Sequence, residues 1–102
     1  MPRLRYSPES TQDLIRFSQF FLTTTPEVAS KAIGAILEAI DILTEAPMIG
    51  RPYAIEGKSG YRELVISFGK GGYLALYQYD QQADVVDILA IRSQRELNYV
   101  QF

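Results

Sequence analysis

Cysteine is absent from all 102 residues of this chain, which excludes a disulfide framework and thiolate chemistry and suits a reducing cytosol. Histidine is absent as well. Imidazole general-base catalysis and histidine-ligated metal sites are thereby excluded. No apolar run approaches the ~20 residues that a membrane span requires. The opening MPRLRYSPES carries two arginines with no apolar stretch behind them, so it does not read as a signal peptide. A cationic excess is also missing. The net charge of −2 argues against indiscriminate polynucleotide binding, because phosphate contacts from Lys and Arg dominate that affinity. The balance is uneven along the chain: residues 1–46 hold four basic and six acidic side chains, residues 47–102 six of each. Arg51, Lys58, Arg62, Arg92 and Arg95 fall near turns or strand ends, which leaves a local basic patch and a protein partner both open.

The length sets one domain, residues 1–102, large enough to bury a core without staples. What is present is organised around residues 61–92, YRELVISFGKGGYLALYQYDQQADVVDILAIR. Runs rich in Val, Ile, Leu, Tyr and Phe suit a pleated, half-buried surface. Gly69-Lys70-Gly71-Gly72 and Asp80-Gln81-Gln82-Ala83 break them, predicting a three-stranded antiparallel meander. Strand side chains repeat every two residues. Arg62, Leu64, Ile66 and Phe68 then share one face, and Val86, Ile88, Ala90 and Arg92 another. Each arginine stands in line with an apolar row, either as a rim residue or paired with Glu63 or Glu96.

Upstream, Arg3-Leu4-Arg5-Tyr6 reads as an opening edge strand. Ser7 is a good N-cap and Pro8 fits the first helical position. A helix follows to about Leu22, burying Leu14, Phe17 and Phe21, with Ile15 or Leu22 at its flank. Thr23-Thr24-Thr25 interrupts it, and Thr25 caps a second helix that again begins on proline. Ala29, Ile33, Ile36, Ile40 and Leu43 form its apolar stripe, with Glu38, Asp41 and Glu45 on a solvated face and Pro47 as the stop. The two helices form a hairpin that covers the meander. The opposite surface of the sheet is expected to stay free to grip macromolecules. Met48 to Gly60 is a connector, and Ser93 to Tyr99 a single helical turn.

The available chemistry is narrow. Gly69-Lys70-Gly71-Gly72 lacks the ending of a phosphate loop and leads into a strand. Asp80, Asp84 and Asp87 are not spaced as a calcium loop, and Asp87 reads as a structural partner. No metal or cofactor is called for. Tyr73, Tyr77 and Tyr79 form a stripe suited to packing. One catalytic idea survives: RNA cleavage through 2′-hydroxyl attack, which needs a base, an acid and cations for the phosphorane. Arg51, Arg62, Arg92 and Arg95 would supply the cations, with Glu96 or Tyr99 in proton transfer. A tyrosine of pKa near ~10 would need help to act as a base.

Five stretches together carry a family resemblance: Ala46-Pro47 followed by Gly50-Arg51-Pro52; Tyr61-Arg62-Glu63-Leu64-Val65; Tyr73-Leu74-Ala75-Leu76-Tyr77; and Ile88-Leu89-Ala90-Ile91-Arg92-Ser93-Gln94-Arg95-Glu96. In this order they resemble the RelE/ParE superfamily of toxins from bacterial type II toxin–antitoxin systems, over nearly the whole chain. The resemblance implies an α+β fold in the order β-α-α-β-β-β, with a helical hairpin packed on a mainly antiparallel twisted sheet. It implies a cytoplasmic toxin, often tied to plasmid stabilization and neutralised by a cognate antitoxin encoded alongside. RelE-like members cut mRNA on the ribosome; ParE-like members poison DNA gyrase with no known hydrolytic site. The wording Arg62-Glu63-Leu64-Val65-Ile66 is closer to the ParE-like branch. Arg62 falls on an arginine common to both branches, and Tyr99 matches the tail tyrosine of the cutting members. Ser93 stands where many relatives carry histidine or arginine, and a helix-to-strand lysine pair is missing, with Arg51 and Lys58 as loose substitutes. The resemblance thus implies a gyrase-binding toxin with Arg51, Arg62, Arg92, Arg95 and Tyr99 as target-binding candidates. A ribosome-dependent endoribonuclease using Arg62, Arg92, Arg95 and Tyr99, or a decayed toxin that keeps only antitoxin binding, are the alternatives. The oligomeric state is open.

Overall fold

A computed structural model describes residues 1–22 and 26–100. Strand β1 (Arg3–Tyr6) leads into helices α1 (Pro8–Leu22) and α2 (Pro26–Asp41), followed by strands β2 (Arg51–Pro52), β3 (Tyr61–Phe68), β4 (Gly71–Asp80) and β5 (Val85–Ser93). The sheet order is β1-β5-β4-β3-β2. β1 runs parallel to β5, and the other pairings are antiparallel. The α+β architecture expected from the sequence is therefore present, with one strand more: the connector contributes Arg51 and Pro52 as a short edge beside β3. None of the described helices is long and apolar enough to cross a membrane.

Local chemistry explains the elements. Phe68 pairs with Gly71, leaving Gly69 and Lys70 as a two-residue hairpin loop, and Gly69 adopts φ +60°, which a side chain would resist. In the second turn the Asp80 carboxylate accepts the N–H groups of Gln82 and Ala83, an Asx-type closure. Ser7 caps α1 as expected, its hydroxyl accepting the Ser10 N–H at 3.0 Å. The expected cap Thr25 and the burial of Phe21 and Leu22 lie outside what is described.

The core lies between the helices and one face of the sheet. Phe17, Ala32, Ile36, Ile40 and Leu43 pack on Ile66, Tyr73, Tyr77, Val86, Ile88 and Ile91. Full burial of a large aliphatic side chain stabilises by roughly 1.5–3 kcal/mol, so this layer dominates the fold. Ala29 is buried, and Leu14, Ile33 and Tyr79 pack partly buried, as the periodicity predicts. Ile15 does not flank the core but is 42% exposed. The face of α1 turned to the sheet instead holds Ser10 and Asp13, both buried. The apolar stripe runs on to buried Leu43 as expected, but the regular helix ends before Pro47: it stops at Asp41 and tightens into a 3-10 turn over Ile42–Thr44. The Thr44 hydroxyl donates to the Asp41 carbonyl there, a local competitor that ends regular helix.

The alternation expected for β5 fails at one point. Tyr77 pairs with Ile88 but Leu76 pairs with Ala90, so Leu89 is an extra residue, a β-bulge. A bulge reverses which side chains face which side. Val86 and Ile88 join the core, as does Ile91 rather than Ala90. Arg92 therefore points to the outer face, not along the row of Val86 and Ile88. Beyond the bulge β1 has ended, and α1 completes the edge of β5. The Ser7 hydroxyl donates to the Leu89 carbonyl, and the Asp13 carboxylate accepts the Ile91 N–H at 2.9 Å. Asp87, before the bulge, pairs with Arg5 across β1 and β5, the structural role its position suggests.

The expected helical turn of the tail is not helix. The Glu96 N–H donates to the Ser93 carbonyl and the Arg95 N–H to the Ser93 hydroxyl, closing a turn, after which the chain brings Tyr99 onto Glu63 on the outer face of the sheet.

Candidate functional site

Arg62 sits on the helix-facing side of β3, opposite Tyr77 of β4. Its guanidinium donates to the carbonyls of Met48, at 3.2 Å, and Gly50, at 2.6 Å. The hydroxyl of Tyr77, a fully buried residue, accepts the Gly50 N–H at 2.8 Å. These contacts hold the Gly50-Arg51-Pro52 segment against the sheet. A Cβ on Gly50 would lie 2.5 Å from the Tyr77 oxygen, so glycine is required by close approach. Gly50→Ala is expected to cost about 1–3 kcal/mol through overpacking. Combining it with Tyr77→Leu should cost clearly less than the two changes summed, because the second removes the hydroxyl oxygen, Cε1 and Cζ that would lie 2.5, 2.6 and 2.9 Å from the new Cβ. Urea unfolding of the four proteins measures this, and strict additivity would refute the contact.

On the outer face a second set of groups converges on Glu63, which is 3% exposed. Arg51, directly opposite on β2, donates twice to Oε1, at 3.0 and 2.6 Å. The Tyr99 hydroxyl donates to Oε2. The Tyr99 ring meets Tyr53 edge-on with centroids 6.0 Å apart, and the Arg92 guanidinium stands 5.3 Å from its centre. Burial first, and the Glu63 carboxylate second, push the Tyr99 phenol well above its usual 10.0. Tyr99 is thus held protonated as a donor and is a poor base.

Arg92 also donates to the Glu96 carbonyl, while its Nε is buried with no partner among the described residues. The Glu96 carboxylate accepts the Ser93 N–H and Arg16, and Arg16 reaches Asp13 as well. Of the two carboxylates expected to pair with Arg62 or Arg92, one is taken by Arg51 and the other by Arg16. Arg95 is exposed at the tail.

The outer face is therefore not free as expected. Glu63, Leu74, Leu76 and Ala90 are buried on it, Tyr99 of the tail is fastened to Glu63 and stands beside Arg92, and Val65 stays 49% exposed. Nor are the four nuclease candidates gathered. Arg62 is on the helix side, Arg92 and Tyr99 are on the outer side, and Arg95 is at the end of β5. Sequence reasoning singled out Tyr99 and Arg51 but missed that Glu63 is what joins them. Asp13, Arg16 and Tyr53 were missed outright. Glu63 carried a signal: a carboxylate one residue from Arg62 in a strand lands on the opposite face from it.

Two concavities flank these groups. One, of about 420 Å³, lies between Arg62, Tyr61 and the β4–β5 turn. The other, of about 620 Å³, lies between α1, the β3–β4 hairpin and the tail.

Residues 4–98 match the family described as the ParE toxin of type II toxin-antitoxin system, parDE. The chain is 31% identical over 96 residues to Toxin RelE3 of Caulobacter vibrioides, covering 94% of this chain and 98% of that one. Its fold is similar to that in the chromosomal ParDE system of P. aeruginosa, with a TM-score of 0.74 at 23% identity, covering 91% of this chain and 96% of the other. It is also similar to a chain of the toxin–antitoxin complex RelBE2 of Mycobacterium tuberculosis, with a TM-score of 0.63 at 23% identity, covering 92% and 100%. With the helical hairpin, the five-stranded sheet and the match over nearly its whole length, the chain belongs to the ParE toxin family within the RelE/ParE superfamily of type II toxin–antitoxin systems.

Proposed function

We propose that this toxin acts in the cytoplasm by binding rather than by cutting: it seizes DNA gyrase and is neutralised by a cognate antitoxin. The observation that carries this reading is the division of the candidate cleavage residues between two faces of the sheet. Phosphorane stabilisation requires cations aimed together at one developing charge. Here Arg62 is spent on two backbone carbonyls, Arg51 is neutralised by Glu63, and Tyr99 is a locked donor. Losing even one preorganised donor costs about 2.7–4 kcal/mol of transition-state stabilisation, and several are displaced here. A binding toxin has no such requirement: Arg95 is exposed, and the Arg51 side chain, though paired with Glu63, is 60% exposed and can still touch a macromolecule.

A second reading has one observation of its own. Arg92 stacks near Tyr99, so two of the residues expected of a RelE-like endoribonuclease are adjacent. The decisive comparison uses one purified preparation in two assays. Inhibition of gyrase supercoiling that rises with dose, with intact mRNA on programmed ribosomes, is expected. Ribosome-dependent cleavage with unaffected supercoiling would replace the proposal by the nuclease. Silence in both, from folded protein that still binds antitoxin, would mark a decayed toxin.

A further inference from the structure

Two arginines of this chain hold a carboxylate along one edge of the guanidinium, and a third leaves the same edge without a protein partner. Arg5 donates from Nε and Nη2 to the two oxygens of Asp87, at 2.5 and 3.0 Å. Arg51 donates from the same pair of atoms to Oε1 of Glu63. Arg62 differs. Its bonds to the Met48 and Gly50 carbonyls both leave from Nη1, and its Nε and Nη2 have no partner among the described residues. The two carbonyls fix the guanidinium without neutralising it. The edge left over is the fork that takes a carboxylate in two parallel hydrogen bonds. Arg62 lines the cleft of about 420 Å³ at the β4–β5 turn, a size suited to small ligands. Asp80 lines it too, and only its Oδ1 is used, by the Gln82 and Ala83 N–H groups. Arg62 and Asp80 do not pair with each other, and Met48 and Pro52 add apolar wall. One fixed cation and one carboxylate between apolar walls complement a small zwitterion.

We propose that this cleft binds a free α-amino acid with an apolar side chain, its carboxylate on Nε and Nη2 of Arg62 and its ammonium on Asp80. The site goes beyond the reading above and does not depend on which macromolecule the toxin seizes. Charge-assisted hydrogen bonds at the two ends supply affinity and orientation. The guanidinium is already held in place, so less freedom is lost when the ligand arrives. Two other occupants fit less well. A phosphate group, free or in RNA, would gain one cation and be repelled by Asp80. A polyamine would gain Asp80 and be repelled by Arg62.

The probe is L-leucine, titrated into the intact toxin by calorimetry and followed in parallel by the melting temperature, which a ligand of the folded state raises. Saturable binding is expected. Leucine methyl ester lacks the carboxylate charge and N-acetylleucine lacks the ammonium, so each is expected to bind at least ~10-fold more weakly. Asp80→Asn, at an exposed position, keeps the Oδ1 acceptor of the turn and removes the charge. In that variant leucine and N-acetylleucine should bind alike, a coincidence that general destabilisation would not produce. Arg62→Lys keeps a cation but loses the fork, and should weaken leucine while leaving the methyl ester unchanged. Circular dichroism with melting confirms that both variants fold. No saturable binding at millimolar leucine overturns the proposal, as does equal affinity for the three compounds. Leucine binding that Asp80→Asn leaves unchanged overturns it too. If orthophosphate or a short RNA binds, Arg62→Lys abolishes that binding and leucine does not compete, the edge serves phosphate and the proposal fails. Gyrase supercoiling and mRNA cleavage are measured without the amino acid, so failure here leaves those readings as they stand.

Discussion

Changing Arg51 to alanine and Tyr99 to phenylalanine together is expected to destabilise the protein by about 3–5 kcal/mol, the usual cost of stranding a buried charge. Glu63 is 3% exposed and both of its oxygens are used, one by Arg51 and one by Tyr99. Either single change leaves the carboxylate one donor, so each should cost well under half of the double. The energies must therefore be non-additive. Adding Glu63→Leu to the double variant is expected to restore most of the loss, because apolar replacement of a whole buried ionic set is often neutral or stabilising. Its partner across β3 and β4 is Leu76, so an aliphatic side chain has an apolar neighbour there. Urea denaturation of the singles, double and triple measures the cycle. A double variant that loses less than ~1 kcal/mol would show that water reaches Glu63 and that the tail is not fastened through it.

That cluster shows what was legible in the sequence and what was not. Local rules placed the elements well. Ser7-Pro8 opened α1, the Ile33, Ile36 and Ile40 spacing revealed the buried side of α2, and Gly69-Lys70 turned the hairpin. The assembly of distant side chains was less accessible. Arg51, Glu63 and Tyr99 come from an edge strand, a neighbouring strand and the tail, and only the register of β2 on β3 sets the first two face to face. The two-residue β2 is too short to leave a periodic signal, so it was hidden inside the connector. The error with the greatest consequence was Arg92. Strict alternation put it on the same face as Val86 and Ile88, and one additional residue at Leu89 moved it across the sheet. No apolar pattern announces that residue, because Ile88, Leu89, Ala90 and Ile91 are apolar without interruption. What could have hinted at it was polar: Ser10 and Asp13 occupy the buried side of α1, where helix periodicity alone would favour aliphatic residues.

Asp13 is the test of that explanation. Asp13→Ala is expected to cost roughly 2–3 kcal/mol, since it removes a charged acceptor from a buried N–H that has no alternative partner in the ladder. For a domain of this size the melting temperature should fall by about 10–20 °C. The carboxylate is 2% exposed and receives the Ile91 N–H at 2.9 Å, at the point where β1 has ended and the bulge has shifted the strand. It also holds Arg16, which in turn holds Glu96 of the tail, so the same substitution should loosen residues beyond Ser93. Asp13→Asn keeps an acceptor for Ile91 but gives up the charge that holds Arg16, so it should cost about 1–2 kcal/mol, less than the alanine variant. Amide hydrogen exchange separates this mechanism from a mere cavity. The Ile91 amide should lose protection selectively in Asp13→Ala and retain it in Asp13→Asn, at a denaturant concentration where both remain folded. A protected Ile91 amide in the alanine variant would mean that the edge of β5 is closed by something other than α1. Its bulge would then need a different cause.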